Sequence, residues 1–401
     1  MKFNHWFRRK VSAATRALTL MMPLPHGFGM KTNYESIARE GYMSNSVEFA
    51  CIREIAEASA GVSWQLFQTA PGGAQEELKD HPLLHLLDRP NPFQGRFELI
   101  ENLTAYLYLS GNAYLEAVGP TVGRQPSAGG QLKPPTELYV LRPDRMTILP
   151  DPTHFIRGYE YKVAGQSVKF ARDQVMHLKL FHPLDDWYGL SPVQVAALPV
   201  DKINASDRWN AALLQNSAVP SGALVSKKRL TDEQYSRLKS DMREQYQGVT
   251  NARSPLLLEE DIDWKEIGTS PKEMDWIEGL KFSALQIAQI YNIPPELIGL
   301  QSATYQNRKE GRKALYTEVV LPALSRLRDS LNTWLTPRFG DGLTLDYNKG
   351  AIEALSEDQT ALWKRVNDSR FLTLNEQRAL VGYAAIAGGD VLSKSPTPPA
   401  K

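Results

Sequence analysis

The chain has 401 residues, 42% of them hydrophobic and 23% charged, which suits roughly two to three domains and excludes a disordered chain, a collagen and a disulfide scaffold. Its single cysteine, Cys51, forms no internal bridge, which fits a reducing compartment and excludes a cysteine-built metal cage. Lys+Arg 46 against Asp+Glu 45 leaves a formal net charge of +1, little for a protein that grips nucleic acid along a broad basic face, and no apolar run approaches the roughly 20 residues that span a bilayer.

The segment Met1–Lys31 carries Lys2, Arg8, Arg9, Lys10, Arg16 and Lys31, and no acid precedes Glu35. Arg16 interrupts the only apolar stretch that resembles a signal-peptide core. The segment reads as a basic arm that docks on a partner or neighbouring subunit, in preference to a transit peptide or a membrane-surface helix. A helix follows over about Asn45 to Ala60, with Val47, Cys51 and Ile55 on one face, so Cys51 is a core residue rather than a nucleophile. Trp64 to Gln68 alternates like a strand, and Pro71-Gly72-Gly73 breaks it. A proline-rich turn from His81 to Pro92 leads into a helix carrying Phe97, Ile100, Leu103 and Leu107. Gly111-Asn112 then opens a strand to Val118. Gly119 to Pro135 reads as a long surface loop. Short strands at Glu137–Leu141, Met146–Leu149, Tyr159–Val163 and Val175–Leu180 suggest an antiparallel meander, making the first half α+β.

In the second half, Ser191-Pro192 is a cap-and-first-turn pair for a helix reaching about Gln215, with a kink expected at Pro199. A compact insert follows. Its strand Ala223–Ser226 precedes a helix capped by Thr231, with Asp232 and Glu233 in the first turn, and Pro255–Leu258 returns as a strand. Tyr235, Leu238, Met242 and Tyr246, with Leu224, Leu256 and Leu258, supply the insert with a small core. A second long helix runs from about Pro271 to Tyr291, with Leu280, Ala284, Ile287 and Tyr291 on one face and Trp276 and Phe282 elsewhere. Asn292-Ile293-Pro294-Pro295 stops it. A polar loop, Gln301 to Gln306, leads to a third long helix reaching about Leu335, bent near Pro322 because proline clashes with the carbonyl at Glu318. On that helix Tyr305, Lys309, Arg312 and Tyr316 share one face, and Leu315, Val319, Leu324, Leu327 and Leu331 form an apolar stripe. A strand at Leu343–Tyr347, two short helices near Glu357–Asn367 and Asn375–Val381, and a Pro- and Ser-rich tail from Ser393 complete the chain.

Catalytic signatures are sparse. No phosphate-binding loop motif occurs. Gly189-Leu190-Ser191-Pro192-Val193 lacks the second glycine of a nucleophile elbow, and Pro192 suits a helix start. His177, His182, Asp185 and Asp186 form the best metal candidate, since imidazoles and carboxylates can share a cation. Their spacing crosses a strand end and a proline turn, which favours a hydrogen-bonded corner between domains. Zincin, EF-hand and paired-cysteine spacings do not occur. The reading is therefore of a non-enzyme with no catalytic residue, metal or cofactor. The alternative is a divalent-metal-dependent DNA-processing enzyme built on the His177–Asp186 cluster.

Several local sequences stand in a telling order: His81-Pro82-Leu83 with Arg89-Pro90-Asn91-Pro92, Leu109-Ser110-Gly111-Asn112-Ala113-Tyr114, Leu141-Arg142-Pro143-Asp144, Trp187-Tyr188-Gly189-Leu190-Ser191-Pro192, Pro220-Ser221-Gly222, Ile293-Pro294-Pro295-Glu296-Leu297 and Thr304-Tyr305-Gln306-Asn307. Over roughly residues 40–390 the chain resembles the portal proteins of tailed bacteriophages, in the compact branch found with long non-contractile tails and in gene transfer agents. The resemblance implies an α+β portal fold. Its parts would be a basic arm (1–40), an α+β wing (41–190), a stem helix (191–222), a strand–helix–strand clip (223–268), a second stem helix (269–299), a tunnel loop (300–307), a bent tunnel helix with a wing return strand (308–350), a small helical crown (351–392) and a tail (393–401).

By the same resemblance the chain forms a homo-oligomeric ring, a dodecamer, at one capsid vertex. Double-stranded DNA passes through it, and the terminase large subunit, the head–tail adaptor and the major capsid protein are partners, with no membrane involved. The expected location is the virion or gene-transfer-agent particle, with assembly in the bacterial cytoplasm. Gln301, Ser302, Thr304, Tyr305, Gln306, Asn307, Arg308, Lys309 and Arg312 would face the DNA channel. Lys227, Lys228, Arg229, Arg237, Asp241, Arg243 and Glu244 would serve docking on the clip. A dozen helices about 10 Å across, set side by side, need a circumference of about 120 Å and leave an opening of roughly 25–30 Å, enough for one duplex. Near-zero net charge suits a channel that passes DNA without holding it.

Overall fold

The computed structural model describes residues 33–69, 75–119, 133–215, 222–226, 231–234, 236–237, 240, 262–266, 276–369, 371–383 and 385–392. In chain order the elements are α1 (Ser46–Ala60), β1 (Trp64–Thr69), β2 (Gln75–Leu78), α2 (Pro82–Asp88), α3 (Arg96–Ser110), β3 (Asn112–Val118), β4 (Glu137–Leu141), β5 (Met146–Asp151), β6 (Phe155–Val163), β7 (Gln166–Ala171) and β8 (Val175–Lys179). They continue with α4 (Pro192–Val195), α5 (Ala197–Gln215), β9 (Gly222–Ser226), β10 (Ile262–Glu266), α6 (Trp276–Ile290), α7 (Tyr305–Ala314), α8 (Leu321–Trp334), β11 (Leu343–Tyr347), α9 (Ser356–Asn367) and α10 (Leu374–Leu380). Two compact units divide the chain: Met1–Ile52 with Leu190–Tyr291, and Arg53–Gly189 with Asn292–Lys401.

The second unit is α+β. Its strands form three antiparallel three-stranded sheets, ordered β11-β1-β2, β4-β3-β8 and β5-β6-β7. The single meander expected from the sequence is thus two sheets, and only β5-β6-β7 meanders. β7 and β2 are exposed along most of their length, so neither shows the apolar alternation by which a strand is read. Tyr114, Leu141, Met146, Ile148, Tyr159 and Val175 form a shared core for the β3 and β6 sheets, each such side chain contributing about 1.5–3 kcal/mol on burial. The proline-rich turn expected at His81–Pro92 holds a helix instead. Pro82 takes the first position of α2, where its missing N–H costs nothing, and His81 Nδ1 accepts from the Leu83 amide at 3.2 Å.

One polar joint organises this unit. Gly111 ends α3 in the left-handed region, φ 76°, which a side chain would strain. The next residue, Asn112, is buried. Its Oδ1 accepts from the Gly189 amide at 2.8 Å and lies 3.0 Å from His177 Nε2. Its Nδ2 donates to the Ser110 carbonyl at 3.0 Å and the Gly189 carbonyl at 3.3 Å. Gly189 approaches so closely that an added Cβ would lie 2.0 Å from the Gly111 carbonyl oxygen.

Residues 305–334 are continuously helical, but not uniformly so. A π-helical stretch, Leu315–Val320, separates α7 from α8. The bend expected at Pro322 takes this form: Pro322 has no N–H to give the carbonyl one turn back, and the wider π turn Leu315–Val320 precedes it. Leu315, Val319, Leu324, Leu327 and Leu331 are all buried, and α8 packs on β8 and β11. α10 opens with a capping box between Thr373 and Glu376.

The first unit is mainly helical, with α5 packed on α6. Ser191 Oγ caps α4, accepting from the Gln194 amide at 3.3 Å. The kink expected at Pro199 is an interruption at Ala196, because α5 restarts so that proline falls in its first turn. Ala284, Ile287 and Tyr291 are buried while Ile277 and Phe282 are exposed. β9 pairs with β10 from Gly222↔Glu266 to Ser226↔Ile262. The return strand is therefore Ile262–Glu266, and the expected Pro255–Leu258 lies outside the described residues. Thr231 and Gln234 cap each other across one turn, whereas Tyr235, Leu238, Met242 and Tyr246 lie outside the described side chains.

Gly189→Ala should destabilise the protein by about 3 kcal/mol, because the added methyl meets backbone that cannot rotate away. A urea-unfolding midpoint equal to wild type would contradict the joint.

Candidate functional site

Beyond Tyr291 the chain makes a turn fixed by its own backbone. Asn292 and Gly299 take positive φ of 53° and 77°, and the Leu297 and Leu300 amides donate to the Pro294 and Pro295 carbonyls, each at 3.0 Å. Gln301, Ser302 and Thr304 follow as exposed polar residues. Thr304 is extended, φ −72° and ψ 162°, and its Oγ1 accepts from the Asn307 amide at 3.2 Å, so it caps α7. The polar loop expected to reach Gln306 therefore ends at Thr304. Tyr305, Gln306 and Asn307 belong to the first helical turn, since a Thr cap starts a helix at the following residue.

Those three residues and Arg308 are exposed, Tyr305 by 83%. Lys309 is half-buried. Gly311 is buried against Glu296, whose Oε1 would lie 2.8 Å from an added Cβ. This glycine lets the side chain of Glu296, from the Pro294-Pro295 turn, lie directly across the helix. Arg312, expected on an open basic face, is engaged within its own chain: its Nη1 lies 2.9 Å from Glu54 Oε1. Tyr316 falls in the π-helical stretch, where the regular spacing that would align it with Tyr305 no longer holds. Its hydroxyl is pushed up mainly by burial, Arg312 opposing and Glu54 adding to the shift. The exposed site thus comprises Gln301, Ser302 and Thr304–Arg308, with no acid among residues 301–308.

Of the residues expected on the clip, Arg237 is exposed. Lys227, Lys228, Arg229, Asp241, Arg243 and Glu244 lie outside the described residues.

The His177–Asp186 cluster is committed to structure. His177 stacks on Tyr114, with ring centroids 4.4 Å apart, and meets Asn112 Oδ1. Burial pushes its imidazole down to about 3, with Lys179 adding to the shift. His182 Nδ1 accepts from the Leu184 amide at 3.1 Å. Asp185 Oδ1 accepts from the Trp187 and Tyr188 amides at 2.7 and 3.0 Å. The Asp186 carbonyl accepts from Lys179 Nζ. Among the described residues no group of three or more His, Cys, Asp or Glu is arranged to hold a metal. The cluster lies within the second unit, so it is not a corner between domains, and it offers a DNA-processing enzyme no assembled centre.

Two acids went unread in the sequence. Glu54, the partner of Arg312, is 258 residues away in sequence and gives no signal. Glu48 is buried, and its spacing of three, four and seven from Cys51, Ile52 and Ile55 is the signal that could have found it.

The family model described as phage portal protein matches residues 46–382. The chain belongs to the phage portal protein family. It is 26% identical over 364 residues to the portal protein of Enterobacteria phage HK97, covering 89% of this chain and 82% of that one. A chain in the virion of a native gene transfer agent particle matches with TM-score 0.69 and 37% identity, over 95% of this chain and 99% of that one. A chain in the neck of a native gene transfer agent particle, computed with C12 symmetry, matches with TM-score 0.67 and 38% identity, over 88% and 94%. The fold is the portal-protein fold, of α+β class.

His177 carries a pH test. Its folded value lies below the ordinary 6.5, so the stability of the neutral ring is complete above pH 6.5 and declines as pH falls below it. His177→Phe keeps the stacking but leaves Asn112 Oδ1 short of one partner, at a cost of about 1–2 kcal/mol near neutral pH. Urea unfolding at about pH 7 and pH 5 should show a smaller loss on acidification in the variant than in wild type. Equal losses would contradict the assignment.

Proposed function

We propose that this chain is the portal subunit of a gene transfer agent or tailed phage particle, assembled as a ring at one capsid vertex, through which double-stranded DNA is packaged and ejected. The observation that carries the reading is the likeness, at 38% identity, to a chain in a neck of C12 symmetry. In such a ring each copy meets the next through two different surfaces, and closure requires every contact to be alike. The chain would then act in the particle, having assembled in the bacterial cytoplasm, as a structural rather than a catalytic component.

In that arrangement residues 41–190 form the wing, α5 and α6 the stem, 223–268 the clip, Gln301–Thr304 the tunnel loop, α7 and α8 the tunnel helix, and 351–392 the crown. The clip would meet the terminase large subunit and later the head–tail adaptor, through Lys227, Lys228, Arg229, Arg237, Asp241, Arg243 and Glu244. The wing and crown would meet the major capsid protein.

The tunnel loop suits transient contact with a moving duplex. Its exposed side chains, Gln301, Ser302 and Thr304, are polar and uncharged, and Arg308 supplies one exposed cation in the helical turn behind it. Arg312 is withdrawn from that face by Glu54, which keeps the attraction shallow. Each added phosphate contact steepens the salt dependence of DNA binding, and a ring multiplies the change by its number of subunits.

Ser302→Lys with Thr304→Lys should therefore slow or stall DNA passage, whereas Ser302→Ala with Thr304→Ala should package near wild-type rate apart from a helix-cap cost of about 1 kcal/mol. The measurement is the rate and length of DNA packaged by assembled particles. Normal packaging by the double lysine variant would show that the loop does not face DNA.

A further inference from the structure

The first unit holds a buried polar chain that the portal reading does not use. Asn45 Oδ1 caps α1, accepting from the Val47 and Glu48 amides at 3.2 and 3.0 Å. Asn45 Nδ2 donates to Asn204 Oδ1 at 3.1 Å, and Asn204 Nδ2 donates to the Glu40 carbonyl at 2.6 Å. Glu48 Oε1 accepts from the Tyr291 hydroxyl. The chain links the π-helical stretch Ile37–Met43, the start of α1, α5 and the residue that follows α6. Asn45, Glu48, Asn204 and Tyr291 are all at least 95% buried.

We propose that Glu48 is a proton-operated latch on the end of α6: protonated, it stays sealed against Tyr291 in the helical core, and on ionisation the cost of a buried charge, only partly offset by the Tyr291 hydrogen bond, opens that core to water. The geometry disfavours an ionised acid. Glu48 is 0% exposed, and its second oxygen, Oε2, is enclosed without a hydrogen-bonding partner. No lysine or arginine is among its described partners. A lone carboxylate in that place costs several kcal/mol, so ionisation is relieved by opening the contact to water.

The titratable groups named around it among the described residues are acids and a thiol. Tyr291 faces it from the end of α6. The Cys51 thiol lies one turn along α1 and is itself pushed up by burial and by Glu48. Asp201, a buried acid, stands on α5 one turn before Asn204. Burial pushes the Glu48 carboxyl up from its ordinary 4.5 to about 7, while the bond from Tyr291 pulls the other way. An acid raised in the folded state contributes stability that is complete below 4.5 and is lost as pH rises to about 7. Tyr291 is the last residue of the first unit, and Asn292, with φ 53°, follows it. The latch therefore acts on the last turn of α6, where Ile287 and Ala288 are also buried.

The test is hydrogen exchange over residues 284–291 and urea unfolding of the full chain, from about pH 5 to pH 8.5. In wild type the opening equilibrium should rise about tenfold per pH unit up to about pH 7 and then level. Glu48→Gln, neutral and close in shape, should lack that rise. Tyr291→Phe removes the bond that favours the ionised acid, so it should move the transition to higher pH. Should Glu48→Gln fail to fold, Tyr291→Phe still decides the matter. A wild-type pH profile in Glu48→Gln, or a transition that moves down or stays put in Tyr291→Phe, would overturn the latch.

Discussion

The second unit depends on one buried carboxamide. Asn112 makes four hydrogen bonds, and its partners come from the end of α3, from β8 and from the segment that leaves the unit at Gly189. A group with two donors and two acceptor sites suits a place where a helix end, the first residue of a strand and a loop meet. Its burial makes the arrangement specific, since any missing partner would leave an unpaired polar atom in a low-dielectric interior. Gly111 and Gly189 are the steric half of the joint: a side chain would strain the left-handed backbone at Gly111, and one at Gly189 would strike the Gly111 carbonyl. The stack of His177 on Tyr114 then leads from the polar joint into the apolar core shared by two sheets.

The exposed loop gains its definition from what lies behind it. Gln301–Thr304 is short and held at both ends, by the backbone turn at Pro294–Leu300 and by the Thr304 cap. Glu296 lies across α7 at Gly311, and Arg312 ties the same helix to Glu54. The exposed ion pair is worth little to stability, under about 1 kcal/mol. Its larger consequence is electrostatic: it removes one cation from a face that would otherwise carry several. A weakly charged loop on a well-anchored helix suits the DNA contact proposed for it.

How much of this was legible in the sequence varied with the physical cause. Helices with an apolar stripe and a sharp stop, such as α1, α3 and α8, were readable because burial imposes a 3.6-residue period. The motifs Ser110-Gly111-Asn112 and Tyr188-Gly189 were visible as landmarks, although their mutual hydrogen bonding, 77 residues apart, was not. β2 and β7 left no pattern because they bury neither face. Prolines misled in a consistent way. Pro82 and Pro199 marked helix first turns rather than a turn and a kink, and Pro322 was preceded by a π turn. At the site, the loop's end was drawn two residues late, at Gln306, because the Thr304 cap was not read. The withdrawal of Arg312 by Glu54 was beyond any local reading. Glu48 was the opposite case, since its spacing placed an acid on a buried stripe.

The account rests on the claim that these chains close into a ring, as those in the neck of C12 symmetry imply for a chain of 38% identity. Electron microscopy of the purified full-length protein, with particle mass measured on the same sample, tests it directly. Closed rings of about a dozen subunits with an open centre of roughly 25–30 Å are the predicted result. Monomers alone, at every protein and salt concentration tried, would contradict it.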